Sequence, residues 1–349
     1  MAEGQSSRHP RRRRWHRPPP DAAVRSVRRW AGPAVAVAVI AVVIWRLGTG
    51  PLLDGVEAVD GRALVAAAVI FFLTTVCAAW RWTIVSRGLG VPLSLPAAVA
   101  AYYRAVFLNL MLPGGLAGDV HRGVSHGREV HDVGRALRAV GWERTAGQLV
   151  QAVLTICVLL VLPSPVRSSM PFVALAAVAV ILGVVLGVVL VGRMTAKRER
   201  SRWTRLRNAV VADVREGVLR RNALPGILFA SALVFIGHAA TFLVATRAVG
   251  VDASVSRLLP LVLLALLGMV LPSIGGWGPR EGVTAWVFSA AGLGANRGAA
   301  TAVAYGVLVL AASLPGAAVL AVGWLPGRRV SGPASNSPAI VRAEGPADG

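Results

Sequence analysis

Two glycine-rich loops, each closed by opposite charges, hold the residues best suited to chemistry in this 349-residue chain. Each loop follows an apolar run and begins with a Leu-Pro pair. Glycine lets backbone N–H groups converge on an anion, and arginine offers a planar fork that suits phosphate. The paired loops predict binding of a lipid phosphate, the alternative being that the glycines only allow tight turns or close helix packing. The residues concerned are Gly114, Gly115, Gly118, Asp119 and Arg122 in the first loop, and Gly275, Gly276, Gly278, Arg280 and Glu281 in the second.

The composition indicates the class of protein. Hydrophobic residues make up 55% of the chain and charged residues only 15%, which is typical of a polytopic helical membrane protein rather than a soluble domain. The formal net charge of +21 is concentrated in the N-terminal tail and in one central loop. Because the positive-inside rule accounts for this placement, we expect membrane lipids, and no nucleic acid, as partners.

Six apolar segments are candidates to cross a bilayer core, which needs about 20 residues per helix. They are residues 31–45, 63–85, 146–162, 171–192, 226–249 and 299–324. Two further apolar segments, 93–112 and 258–271, lead into the glycine loops. The polar segments 1–30 and 326–349 are expected to be disordered tails. An all-α membrane domain would then cover residues 31–325.

Charge placement indicates how these segments are threaded. If residues 93–112 crossed the membrane, the arginine-rich stretch 119–144 would lie outside, against the positive-inside rule. If the segment instead enters from the cytoplasm, turns and returns, that stretch and the basic loop 193–222 both lie inside. The second hairpin, 258–293, then enters from the outside. We therefore predict a helical bundle with two re-entrant hairpins and inverted repeats, in the plasma (inner) membrane, with both termini cytoplasmic.

Polar residues within the first hairpin are candidates for the same site. Arg104 would cost about 2.5–3.5 kcal/mol if it faced lipid, so we expect it to face a cavity. Asn109, near the hairpin tip, is expected to contact either the ligand or the broken backbone. Asp119 could pair with Arg122 at i+3, but we expect first of all that it caps a helix.

Further charged pairs lie beside other apolar segments. Arg280 and Glu281 either bind the ligand or form a structural ion pair that locks the second hairpin. Glu143 and Arg144 are expected to form a gating or structural network with the charged residues of the first loop. The alternative is an acidic first turn of a helix. Arg81, which lies near the end of a span, is interpreted as a cytoplasmic anchor.

No catalytic residue, metal site or cofactor is predicted. Cys77 and Cys157 lie in apolar runs and offer neither a disulfide framework nor metal-ligand spacing. His121, His126 and His131 recur every five residues, which does not place them on one helix face.

Three motifs in order along the chain resemble one family. They are Leu112, Pro113, Gly114, Gly115, Gly118, Asp119 and Arg122, then Glu143 and Arg144, then Pro272, Gly275, Gly276, Gly278, Arg280 and Glu281. With them, residues 31–325 resemble the lysylphosphatidylglycerol synthase transmembrane-region family, also called flippase-like. The resemblance implies an integral membrane protein that moves lipid headgroups between leaflets. Pro279 departs from the family pattern, which has an apolar residue there.

The resemblance also bears on enzymatic activity. Two-domain members add a soluble domain that aminoacylates phosphatidylglycerol, whereas here only a short polar tail follows the last apolar segment, so synthase activity is not expected. The prediction is a carrier for phosphatidylglycerol, its aminoacyl ester or a polyprenyl-phosphate lipid, with Arg104, Arg122 and Arg280 receiving the phosphate. The alternatives are a membrane transferase and a non-transporting partner of a lipid- or glycan-modifying enzyme.

Overall fold

The computed structural model describes residues 50–112, 115–162, 212–269 and 278–324. Within these ranges the chain forms nine α-helices and a π-helical turn, Val214–Val218. The helices are α1 (Gly50–Glu57), α2 (Gly61–Gly88), α3 (Leu95–Met111), α4 (Ala117–Glu129), α5 (Val133–Val161), α6 (Leu224–Ala248), α7 (Val255–Gly268), α8 (Pro279–Ala290) and α9 (Ala295–Trp324). Among them α2, α5, α6 and the part Ala295–Ala321 of α9 are long and apolar enough to cross a membrane. The prediction of an all-α polytopic membrane protein is confirmed.

Three predicted spans coincide closely with helices, and one does not. The spans at 63–85, 226–249 and 299–324 are α2, α6 and α9. The span predicted at 146–162 is only the second half of α5, which begins after Asp132, whose side chain accepts a hydrogen bond from the N–H of Arg135 at 2.8 Å. Hydropathy misses the first half of α5 because it carries polar residues, several of which form ion pairs inside the protein.

The remaining predictions of this kind fall outside the described residues. They are the spans at 31–45 and 171–192, most of the basic loop 193–222, and both tails.

Two pairs of helices form hairpins whose ends lie together. His126, near the end of α4, makes a hydrogen bond through Nε2 with the carbonyl of Val91, just before α3, at 2.9 Å. In the second hairpin, Nη2 of Arg257 in the first turn of α7 donates to the carbonyl of Ala291, just after α8, at 2.8 Å. The segments predicted to lead into the glycine loops are thus the first limbs of these hairpins, α3 and α7.

The helices that precede the two hairpins, α2 and α6, pack antiparallel. Arg81 on α2 donates from Nη1 to Oγ of Ser231 on α6 at 3.0 Å. Further along both helices, a Cβ built on Gly237 would lie 2.1 Å from Oγ1 of Thr74. Because α2 and α6 run in opposite directions, the two hairpins begin at opposite ends of the bundle.

Helices α2 and α6 each end in a turn of the same type. After α2, Gly90 has a φ of 74° and the N–H of Val91 reaches back to a carbonyl of the last turn. After α6, Gly250, with a φ of 75°, and Val251 do the same. This is the Schellman C-cap, in which a left-handed glycine lets the chain satisfy carbonyls that have no partner within the helix.

The central helix of the bundle is α9, which packs against α1, α2, α3, α6 and α8. Glycines allow its backbone to approach both hairpins closely. A Cβ on Gly298 would lie 2.6 Å from the carbonyl oxygen of Thr284 on α8, and one on Gly316 would lie 2.2 Å from that of Tyr103 on α3. Such close backbone approach is how small residues stabilise helix pairs in membranes.

Candidate functional site

A buried carboxylate, that of Glu143 on α5, joins α5 to three other helices. Arg81 on α2 donates from Nε to Oε1 at 2.8 Å, and the Tyr102 hydroxyl on α3 donates to the same oxygen at 2.7 Å. Arg122 on α4 donates from Nη2 to Oε2 at 2.7 Å. Glu143 has no exposed surface, and a buried carboxylate is tolerated when it is paired and hydrogen-bonded. Since Glu143 lies well inside α5, the interpretation as an acidic first helical turn is wrong.

Arg122 is held by aromatic rings as well as by hydrogen bonds. Its guanidinium carbon lies 4.6 Å from the ring centre of Trp82 and 4.2 Å from that of Tyr102, which is a cation–π arrangement. Its Nε donates to Oδ1 of Asp119 at 2.9 Å. Only 1% of the residue is exposed, and Nη1 has no hydrogen-bond partner among the described residues.

Asp119 links this network to the other charges of the first hairpin. Its Oδ2 accepts hydrogen bonds from Nη1 of Arg144 at 2.6 Å and from Nδ2 of Asn109 at 2.8 Å. The expectation that Asp119 caps a helix is wrong, because α4 already begins after Leu116, which makes no side-chain cap hydrogen bond. The carboxylate of Asp119 is engaged instead by arginines, one of them its i+3 neighbour Arg122.

Asn109 supports the broken backbone of the first hairpin. Its Oδ1 accepts the N–H of Gly118 at 2.7 Å. Gly118 in turn packs against α3, where a Cβ would lie 2.0 Å from the carbonyl oxygen of Ala105. These contacts support the close-packing interpretation of Gly118, because no side chain fits there. Gly115, at a φ of 61°, takes the left-handed conformation that favours glycine.

A cavity of about 300 Å³ lies between the helices, at the lower end of the volumes typical of ligand sites. Its polar lining residues are Thr74, Thr75, Arg81, Tyr102, Asn109, Asp119, Arg144, Gln148, Gln151, Ser231, His238 and Tyr305. Its apolar lining residues include Phe71, Val106, Leu110, Phe235, Leu266 and Val309. The cavity therefore presents both cationic groups and hydrocarbon surface.

The charged pair of the second hairpin reaches the cavity through an aromatic ring. Arg280 donates from Nε to Oε1 of Glu281 at 3.0 Å, and the N–H of Gly278 donates to Oε2 at 2.5 Å. The guanidinium of Arg280 lies 5.2 Å from the ring centre of Tyr305. The Tyr305 hydroxyl lies 3.0 Å from Nδ1 of His238, and both residues line the cavity. The ion pair expected for Arg280 and Glu281 is thus present.

Arg104, which was predicted to face a cavity, does not line this one, and neither do the other two predicted phosphate-binding arginines, Arg122 and Arg280. The residues of α3 that line the cavity follow the i, i+3, i+4, i+7, i+8 pattern of one helix face, namely Tyr102, Ala105, Val106, Asn109 and Leu110. Arg104 lies two positions from both Tyr102 and Val106, which places it on another face. Its Nε is buried and has no hydrogen-bond partner within the described ranges.

Arg81 is a site residue that the sequence analysis missed. It was expected to be a cytoplasmic anchor at the end of a span, but α2 continues to Gly88 and leaves Arg81 two turns inside the helix, 6% exposed. The signal that could have found it is Arg87, which ends the same helix and serves as the terminal cation. Three predicted glycines, Gly114, Gly275 and Gly276, lie outside the described residues.

The charges around the cavity do not balance. In the part of the chain that the structure describes, three arginines, Arg81, Arg122 and Arg144, surround two carboxylates, Asp119 and Glu143. We call these five residues the arginine cluster. Its excess of one positive charge, beside a cavity of ligand size, favours an anion.

A match to a family model decides where this arrangement belongs. The model described as the lysylphosphatidylglycerol synthase TM region matches residues 29–316, most of the chain. The chain belongs to this family. No curated protein and no solved structure matches it. The matched residues of the lysylphosphatidylglycerol synthase TM region include the arginine cluster, the whole cavity wall and both hairpins. The chain is a multi-pass membrane protein of a family related to lipid modification or flipping.

Proposed function

We propose that this protein is a membrane carrier that moves a phosphate-bearing lipid between leaflets. The observation that carries the proposal is the cavity, whose wall includes the guanidinium groups of Arg81 and Arg144 together with apolar side chains such as Phe71, Phe235 and Leu266. The phosphate of a lipid headgroup needs the cationic surface, and the acyl-chain carbons next to the headgroup need the apolar surface. A site built only for structure would not need a polar space of ligand size within the membrane-spanning helices.

The arginine cluster supports an anionic ligand. Arginine binds phosphate through a planar fork of donors. Nη1 of Arg122 is a buried donor without a partner among the described residues, and Arg144 lies on the cavity wall with about a third of its side chain exposed, at 38%. A phosphate that reaches Arg144 could compete with Asp119 for this guanidinium and so loosen the contact between α4 and α5.

The hairpin geometry supports re-entrant hairpins in an inverted repeat. Each hairpin returns to the end at which it began, through the His126–Val91 and Arg257–Ala291 contacts. The antiparallel packing of α2 and α6 and their matching Schellman turns relate helices α2 to α5 to helices α6 to α9. In transporters with inverted repeats the substrate site lies near the membrane midplane, between the repeats, and the cavity is lined from both sets of helices.

The orientation and mechanism follow from charge. The basic N-terminal tail and central loop favour cytoplasmic termini in the plasma membrane. In the carrier cycle we propose, arginines exchange their carboxylate partners, Asp119, Glu143 and Glu281, for the lipid phosphate as the hairpins move. The movement would be passive or coupled to an ion or to the membrane potential.

Purified protein in proteoliposomes tests the proposal. Phosphatidylglycerol or polyprenyl phosphate, labelled on the hydrocarbon tail, is followed by chemical quenching of the label in the outer leaflet. We expect faster crossing than in protein-free vesicles, and loss of that acceleration in the double variant Arg122→Ala with Arg280→Ala. The matched control removes two exposed arginines, Arg62→Ala with Arg135→Ala.

The outcomes separate the candidate functions. Acceleration that persists in the Arg122→Ala, Arg280→Ala protein overturns the proposed role of these arginines. Failure of the folded wild-type protein to accelerate any phosphate-bearing lipid overturns the carrier function and favours a transferase or a non-transporting membrane partner.

A further inference from the structure

Among the described residues, both carboxylate oxygens of Asp119, of Glu143 and of Glu281 already accept hydrogen bonds. Both oxygens of Asp119 accept from arginine, at 2.9 Å from Arg122 and 2.6 Å from Arg144. Both oxygens of Glu143 also accept from arginine. Within the described residues of the second hairpin, one oxygen of Glu281 accepts a hydrogen bond from Arg280 and the other accepts one from the N–H of Gly278.

The sequence offers no further carboxylate at this depth. The apolar segments outside the described residues, 31–49, 163–192 and 270–277, contain neither Asp nor Glu. Apart from Asp119, no acidic residue lines the cavity among the described residues. The remaining acidic residues of the sequence lie outside its apolar segments: Glu3, Asp21, Asp54, Glu57, Asp60, Glu129, Asp132, Glu199, Asp213, Glu216, Asp252, Glu344 and Asp348.

This arrangement has different consequences for anionic and cationic headgroups. A phosphate group in the cavity is attracted by the excess positive charge of the arginine cluster. A primary ammonium would lie near Arg81 and Arg144, and every carboxylate nearby is already paired to arginine. Placing like charges side by side in this way is unfavourable. Hydroxyl groups are accommodated, because Thr75, Gln148 and Gln151 bring uncharged polar groups to the cavity wall.

We infer that this protein selects lipids whose headgroup carries phosphate and hydroxyl groups and excludes those that carry a free amine. This inference rests on the proposed carrier function and names its substrate class. It removes the aminoacyl ester of phosphatidylglycerol from the predicted substrates and retains phosphatidylglycerol and polyprenyl phosphates.

Matched pairs of tail-labelled lipids test the inference in proteoliposomes of the full chain. Phosphatidylglycerol is compared with its lysyl ester, and phosphatidylethanol with phosphatidylethanolamine. Within each pair the principal difference is the presence of an amine. We expect the amine-free lipid of each pair to cross faster by roughly tenfold or more. Equal or faster crossing of the amine lipids overturns the inference and leaves the carrier function standing, whereas failure of these four lipids and of polyprenyl phosphate to cross overturns the carrier function itself.

A variant that adds a carboxylate to the cavity wall tests the physical cause. Gln148→Glu places a carboxylate on the cavity wall and removes the excess positive charge, so the preference for amine-free lipids should shrink at least severalfold. Thr145→Glu adds the same charge to α5 at an exposed residue outside the cavity wall and should leave the preference unchanged. A preference that is the same in the two variants contradicts the electrostatic explanation.

Discussion

Gly147 on α5 lies directly against the guanidinium group of Arg81 on α2. A Cβ built on Gly147 would lie 2.7 Å from Nη1 and 2.8 Å from Cζ of Arg81. The guanidinium cannot simply turn aside, because hydrogen bonds to Glu143 and Ser231 hold it. The absence of a side chain at Gly147 therefore sets the position of a cationic group on the cavity wall.

The substitution Gly147→Ala is expected to displace Arg81 and slow lipid movement. Charge-assisted hydrogen bonds contribute about 1.5–3 kcal/mol each, so the loss of one predicts a reduction of roughly tenfold or more. The measurement is the crossing rate of tail-labelled phosphatidylglycerol in proteoliposomes. The matched control is Gly141→Ala on the same helix, where an added Cβ meets nothing within 4 Å. Equal rates in the two variants would show that the position of Arg81 does not matter.

The substitution Glu143→Gln is expected to destabilise the fold. It leaves Arg81 and Arg122 buried without the carboxylate that they share, and breaking a buried pair in this way costs about 3–5 kcal/mol. Thermal unfolding of the detergent-solubilised protein measures the effect. Glu129→Gln, an exposed substitution at the end of α4, should unfold as the wild type does. A wild-type unfolding midpoint for Glu143→Gln would contradict the assigned network.

The substitution Gly118→Ala distinguishes packing from ligand binding in the first hairpin. Because an added Cβ would lie 2.0 Å from a backbone oxygen of α3, α3 and α4 must separate, and we expect loss of folded protein in size-exclusion chromatography. Gly134→Ala, whose Cβ would meet only ordinary contacts at 3.7 Å and beyond, serves as the control. If Gly118→Ala folds normally but loses lipid movement, the glycine acts on the ligand.

Substitutions of Arg104 and Arg144 are expected to have different effects on the rate of lipid movement, although both arginines lie in the first half of the chain. Arg104→Gln should change the rate of lipid movement by no more than about twofold, the size typical of a substitution away from the site. Arg144→Gln removes a cation from the cavity wall and should reduce the rate much further. The crossing rate of tail-labelled phosphatidylglycerol in proteoliposomes measures both effects. A larger loss of rate for Arg104→Gln than for Arg144→Gln would support the sequence prediction that Arg104 contacts the ligand.

The sequence was sufficient to predict what depends on composition and local chemistry. Apolar runs predicted α2, α6, α9 and the second half of α5, and the Pro-Gly breaks predicted the interruptions between α3 and α4 and between α7 and α8. The Glu143–Arg144 pair was expected to contact the first loop, and contacts of both residues with α4 are present. These features follow from patterns that each occupy a short stretch of chain.

The parts that failed depend on tertiary contacts. Arg81 looked like a terminal anchor because nothing in its own segment indicates that Glu143, 62 residues away, accepts its hydrogen bonds. Arg104 was assigned to the cavity because burying an arginine demands a reason, but the face of α3 that meets the cavity is fixed by neighbouring helices. Asp119 was assigned as a cap because the start of α4 could not be located to within one turn.

The position of α9 has a mechanical consequence. Gly298 and Gly316 bring its backbone against the second and the first hairpin respectively, and their separation of 18 positions along the helix corresponds to about 27 Å at 1.5 Å per residue. Helix α9 therefore connects the two hairpins through close backbone contacts, and a displacement of one hairpin is transmitted to the other along this helix. Pro315, beside the contact with α3, cannot donate a backbone hydrogen bond and marks the position at which α9 bends most easily.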